Sequence, residues 1–133
     1  MEGTDTSKRL VLLVDDDQLL LNIYTLKFNN SGFKVETGKT AAVALQKLRD
    51  GLAPDVILCD LVMPGVDGLE LIQKIKVESL SLRSKIVVLT NQCQSGDVEK
   101  AKVLGVDGYI VKASTIPSEV VEEVKKILST KTG

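Results

Sequence analysis

Four short apolar runs punctuate the chain: Leu10 to Val14, Val56 to Cys59, Ile86 to Leu89 and the shorter Tyr109 to Val111. They are rich in β-branched residues and barely alternate with polar ones, as expected of parallel strands covered on both faces. A fifth segment does alternate, with Phe33, Val35 and Thr37 interleaved with Lys34 and Glu36, which predicts a half-buried edge strand. Between the strands the apolar period changes to that of a helix. Leu20, Ile23, Tyr24 and Phe28 share one stripe, Ala41, Ala44, Leu45 and Leu48 a second, and Leu69, Leu71, Ile72 and Ile75 a third. Val98, Ala101 and Leu104 mark a short, charged fourth helix, and Ile116, Val120, Val121, Val124, Ile127 and Leu128 a fifth.

Leu19 and Leu26 make the first helix more apolar than one buried face needs; they are read as shouldering the core, with partner docking as the alternative. Gly32, Gly51 and Gly105 each come just after a helical segment, where a left-handed cap is wanted, while Thr40 and Asp67 stand as N-caps. Strand and helix thus alternate five times. Right-handed crossovers then require a five-stranded parallel sheet with helices on both faces, the doubly wound α/β architecture.

Composition bounds what this fold can do. The 133 residues, 44% hydrophobic, suit one domain, read as residues 9–130 between an extended or disordered tail at 1–8 and a short tail at 131–133. A formal net charge of -1 provides no broad footprint for nucleic acid or an anionic membrane, so direct binding to either is not expected. No apolar run approaches the roughly 18–20 residues that span a bilayer, and the polar N-terminus does not read as a signal, so the cytoplasm is the expected location. Cys59 and Cys93 are too few for a disulfide scaffold and are expected to be reduced thiols. The chain has no histidine, which excludes a serine–histidine triad, a histidine-ligated zinc or a phosphohistidine of its own.

In a doubly wound sheet the ligand crevice lies outside the carboxyl ends of the strands. There the sequence places Asp15, Asp16 and Asp17 after the first strand, Asp60 after the third, Thr90 after the fourth and Lys112 after the fifth. Asp15, Asp16 and Asp60 brought together would repel unless a cation compensates them, and Mg2+, which favours a few carboxylates and retained waters, suits such a site. Asp60 is the candidate nucleophile, since a carboxylate can form an acyl phosphate, with Thr90 and Lys112 as holders of phosphoryl oxygens. The plainer alternative for Asp15 to Asp17 is a solvated turn in which Asp17 caps the next helix.

The segments Leu13-Val14-Asp15-Asp16-Asp17, Asp60-Leu-Val-Met-Pro64-Gly-Val-Asp67-Gly68, Leu89-Thr90 and Gly108-Tyr109-Ile-Val-Lys112 together resemble the response-regulator receiver family, in the manner of the chemotaxis response regulator. The resemblance covers nearly the whole chain and implies a flavodoxin-like (βα)5 fold with strand order 2-1-3-4-5. It implies Asp15 and Asp16 as the acidic pair, Asp60 as phosphoacceptor, Val62 as a backbone-carbonyl ligand of Mg2+, Thr90 as switch hydroxyl, Tyr109 as switch aromatic and Lys112 as the phosphoryl-binding lysine. The implied donor is a histidine kinase or histidine phosphotransfer domain, whose histidine helix approaches the first helix; a homodimer through the fourth and fifth helices is left open.

Three departures bear on tuning. Ala113 stands where many members have proline, so a cis peptide bond is not expected there. Asn91, larger than the usual residue, narrows access to Asp60 and implies slow acceptance of small phosphodonors. Val62 and Gln92 occupy positions that tune autodephosphorylation in the family, and apolar Val62 cannot orient an attacking water, which implies a long-lived phosphoryl group. Two rivals fare worse. A haloacid-dehalogenase-type phosphatase needs a second Asp where Val62 stands, and a flavin-type cofactor binder needs a glycine-rich phosphate loop where three aspartates stand.

Overall fold

The computed structural model describes residues 9–61, 68–81, 83–90, 95–112 and 115–129, without the side chains of 90 and 95–98. Five strand–helix units succeed one another: β1 (Leu10–Val14), α1 (Gln18–Asn30), β2 (Lys34–Gly38), α2 (Ala41–Arg49), β3 (Val56–Asp60), α3 (Gly68–Val77), β4 (Lys85–Thr90), α4 (Ser95–Val103), β5 (Gly108–Val111) and α5 (Pro117–Ser129). All pairings are parallel, in the order β2-β1-β3-β4-β5, so half-buried β2 is an edge strand as its alternation predicts. This is the doubly wound, flavodoxin-like fold expected from the sequence.

Strand parity sorts the core into two layers. Leu12, Val14, Ile57, Cys59, Ile86 and Val88 face α2, α3 and Ala101 of α4. Their neighbours Val11, Leu13, Val56, Leu58, Val87, Leu89 and Ile110 face α1 and α5. Both faces of the central strands are therefore buried, which explains why those runs do not alternate. Each fully buried aliphatic side chain contributes roughly 1.5–3 kcal/mol of transfer free energy, so these layers supply most of what holds the sheet to its helices.

The helix stripes hold with two corrections, the Val98 side chain of the α4 stripe lying outside the described residues. In α1 the fully buried positions are Leu21, Tyr24 and Phe28, with Leu20 and Ile23 only half-buried, so the stripe is centred one residue further on. Leu19 and Leu26 do not shoulder the core; they are 67% and 60% exposed. Ile116 is not part of the α5 stripe either. It precedes Pro117, is 60% exposed, and its backbone N–H donates to Glu119 Oε1 at 3.0 Å, half of a capping box with proline at the first helical position. Thr40 caps α2 as expected, its Oγ1 accepting from Val43 N at 3.1 Å. Gly32, Gly51 and Gly105 all adopt positive φ at helix ends. Asp67, the other expected N-cap, and Cys93 lie outside the described residues.

Two aspartates not singled out from the sequence close the end of the sheet away from the site. Asp55 Oδ2 accepts from Leu10 N at 2.7 Å, and Asp107 Oδ2 from Ile86 N at 2.8 Å. Each satisfies a strand-entry donor that the neighbouring strand begins too late to reach.

Candidate functional site: an acidic cluster bridged by a lysine

The three consecutive aspartates after β1 do three different things. Asp15 continues the sheet, its N–H donating to Gly38 O at 3.1 Å, and is 4% exposed. Its Oδ1 accepts from Asp17 N at 2.9 Å, which fixes the carboxylate while leaving Oδ2 for a partner across the sheet. Asp16 is exposed. Asp17 caps α1, its Oδ1 accepting from Leu19 N at 3.0 Å and Leu20 N at 3.2 Å. The capping reading of this cluster is therefore correct for Asp17, while Asp15 stays at the strand end with its second carboxylate oxygen directed across the sheet.

Asp60 ends β3 and is 7% exposed. Gly68 packs against the backbone at this strand end, its N–H donating to Leu61 O at 2.9 Å. A Cβ on Gly68 would collide with Asp60 O and come within 2.7 Å of Leu61 Cα. Glycine is required there by space, because the start of α3 presses on the backbone of the phosphoacceptor candidate. In the sequence Gly68 is marked only as the last residue of the Asp60 to Gly68 motif, with no sign that space requires it.

Lys112 comes directly after β5 and reaches past β4 to both carboxylates. Its Nζ donates to Asp15 Oδ2 at 2.7 Å and Asp60 Oδ2 at 3.2 Å, with all three side chains under 10% exposed. Burial works against the ammonium, but the hydrogen bond to Asp15 and the charges of Asp60 and Asp15 outweigh it and hold the lysine pKa above its ordinary value. One carboxylate oxygen each from Asp15, Asp16 and Asp60 lie within 4.8 Å of one another. One ammonium against three carboxylates leaves a formal excess of two negative charges, which suits a hard divalent cation bound through oxygen.

Tyr109 stands apart from this cluster. It has the opposite parity to Ile110, is half-buried against the α2–α3 layer, and lines a groove with α5 residues such as Glu119 and Glu122. Thr90 ends β4 in register with Val111, which brings its backbone to the same end of the sheet; its side chain is outside the described residues. So are Val62, Asn91, Gln92 and Ala113. Cys59, next to Asp60, is fully buried in the core, its Sγ 3.3 Å from Asp60 O.

Comparison with known proteins decides the family. The response regulator receiver domain family matches residues 11–125. The chain belongs to that family. The receiver is 32% identical over 121 residues to the DNA-binding response regulator MtrA of Mycobacterium tuberculosis, a match covering 91% of this chain and 51% of that protein. Among solved structures it is similar to the chemotaxis protein CheY4 of Vibrio cholerae (TM-score 0.83, 25% identity, 91% of this chain and 99% of that one). It is also similar to a CheY-like receiver domain protein from Methanospirillum hungatei (TM-score 0.82, 27% identity, 92% and 94%). The receiver spans about half the length of the curated relatives it matches. One of those is named as DNA-binding, so the expectation of no nucleic-acid contact gains no support from them. As a receiver, it is a signalling domain of two-component systems, and its acidic pocket fits a phosphoacceptor site. Among the described residues, no helix is long and apolar enough to cross a membrane.

Proposed function

We propose that Asp60 accepts a phosphoryl group from a phosphohistidine carried by a histidine kinase or histidine phosphotransfer domain. The observation that carries this reading is Lys112, which joins buried Asp15 and Asp60 from the far edge of the sheet while Asp16 completes an acidic cluster beside them. An Asp60 carboxylate oxygen forms the new O–P bond as the donor's N–P bond breaks, and the electron pair leaves with the imidazole. No general base is needed for attack by a carboxylate, so the remaining residues position and stabilise charge.

Asp15, Asp16, Asp60 and the Val62 carbonyl would hold Mg2+, which when bound supplies positive charge to the phosphoryl oxygens. Lys112 holds one phosphoryl oxygen and Thr90 another, and the movement of Thr90 lets the Tyr109 ring turn inward. Val62, Asn91 and Gln92 set how fast Asp60 is charged and discharged. The functional unit is residues 9–130, working in the cytoplasm. A DNA-binding output would come from a further domain, as the greater length of MtrA allows.

The test is an NMR titration with beryllofluoride and Mg2+. Backbone signals around Thr90 and Tyr109 should shift in the wild-type chain and stay in place in Asp60→Asn. Shifts that persist in the variant would refute phosphoacceptance at Asp60.

A further inference from the structure

Tyr24 is a buried hydroxyl that the receiver chemistry above does not use. It is 4% exposed, and among the described residues its hydroxyl makes no hydrogen bond, an arrangement that costs free energy in a well-packed layer. Its place explains what it could serve. Tyr24 packs in the layer that contains Leu13, Leu58 and Ile110. Two residues on along their strands stand Asp15, Asp60 and Lys112, with the same parity and hence on the same face, one step nearer the open end of the sheet.

α1 starts at that end and runs away from it, and Tyr24 lies about 9 Å down its axis from Gln18 at 1.5 Å per residue. Helical side chains lean toward the helix N-terminus, which turns the ring toward the end of the layer where the lysine and the two carboxylates stand. The electrostatics agree: burial pushes the phenol pKa up, Lys112 pulls it down, and Asp15 and Asp60 add to the rise. The phenol therefore remains a neutral hydroxyl able to accept a hydrogen bond.

Lys112 has three N–H donors, and Asp15 and Asp60 take two. We propose that the Tyr24 hydroxyl is a positioning group for Lys112, accepting its third N–H when a phosphoryl oxygen draws the ammonium away from the carboxylates. The inference rests on the phosphoacceptor reading of Asp60. It predicts a defined lysine position in the phosphorylated state and little effect in the resting state, where the two carboxylates suffice.

Tyr24→Phe removes the hydroxyl and keeps the ring. With Mg2+ present, its affinity for beryllofluoride should fall about tenfold, the scale of one hydrogen bond to a charged group. The side-chain ammonium signal of Lys112 in the beryllofluoride state should move and exchange faster with water, while the urea midpoint without beryllofluoride stays near that of the wild type. Tyr24→Met, a second hydroxyl-free variant, should show the same loss of affinity. Unchanged affinity and an unchanged Lys112 signal in Tyr24→Phe would overturn the inference. If the wild-type chain itself shows no response to beryllofluoride and Mg2+, the phosphoacceptor reading fails instead.

Discussion

Lys112 is the residue on which opposing demands meet. Its ammonium pairs with two buried carboxylates, and under the proposed function it would also have to face phosphoryl oxygens and a divalent cation. Replacing it with methionine separates these roles. Asp15 and Asp60 would lose their ammonium, at a cost of about 3 kcal/mol in a site this buried, measurable by urea denaturation at neutral pH. Mg2+ should then bind about tenfold more tightly, because a like charge has left its site, whereas beryllofluoride should bind more than tenfold less well. Calorimetric titration of the two ligands reads the opposite signs directly. The same residue predicts a pH effect. Its pKa is raised in the folded state, so its stabilisation is fully present below the unfolded value near 10.5 and is lost as pH rises beyond that. The wild-type stability curve should therefore bend down above about pH 10.5, and the fall should be shallower in Lys112→Met, where only the raised phenol pKa of Tyr24 still contributes one.

At the scale of elements, the strand ends and most helix stripes were legible because parity and helical period are local signals, and the order of Asp15, Asp60, Thr90 and Lys112 along the chain derives from them. What was not legible depends on tertiary approach. No local pattern distinguishes Leu20 from Leu21 in a helix whose apolar residues run almost all round, and only packing on α5 and the sheet settles which is buried. The double pairing of Lys112 needed the distance across β4, and the roles of Asp55 and Asp107 needed the stagger between neighbouring strands. Gly68 is the clearest case. Without positive φ, its requirement for space is visible only once α3 is seen against Asp60 O. Gly68→Ala should force the start of α3 away from β3, costing about 2–3 kcal/mol by overpacking. Since the displaced backbone is that of Asp60 and Leu61, Mg2+ affinity should fall in the same variant. A loss of stability with unchanged Mg2+ binding would show that the collision is absorbed away from the site.

For the whole molecule, the exposed leucines of α1 set a question that burial alone cannot answer, because a receiver gains nothing in its own stability from Leu19 at 67% and Leu26 at 60% exposure. They stand seven residues apart, two helical turns, and so share one side of α1, distinct from the buried stripe of Leu21, Tyr24 and Phe28. Asp17 places the first turn of that helix directly beside Asp15 and Asp16. A partner helix laid along Leu19 and Leu26 would thus have one end at the acidic cluster, where the proposed function requires a phosphohistidine to arrive for in-line transfer to Asp60. Small phosphodonors need no such surface. Leu19→Glu should therefore slow transfer from a phosphorylated histidine domain by about tenfold or more, and leave beryllofluoride binding and the urea midpoint close to wild type. Equal transfer rates for the two proteins would mean that the exposed side of α1 takes no part in donor docking, and that the donor's orientation is set by the loops around Asp60 alone.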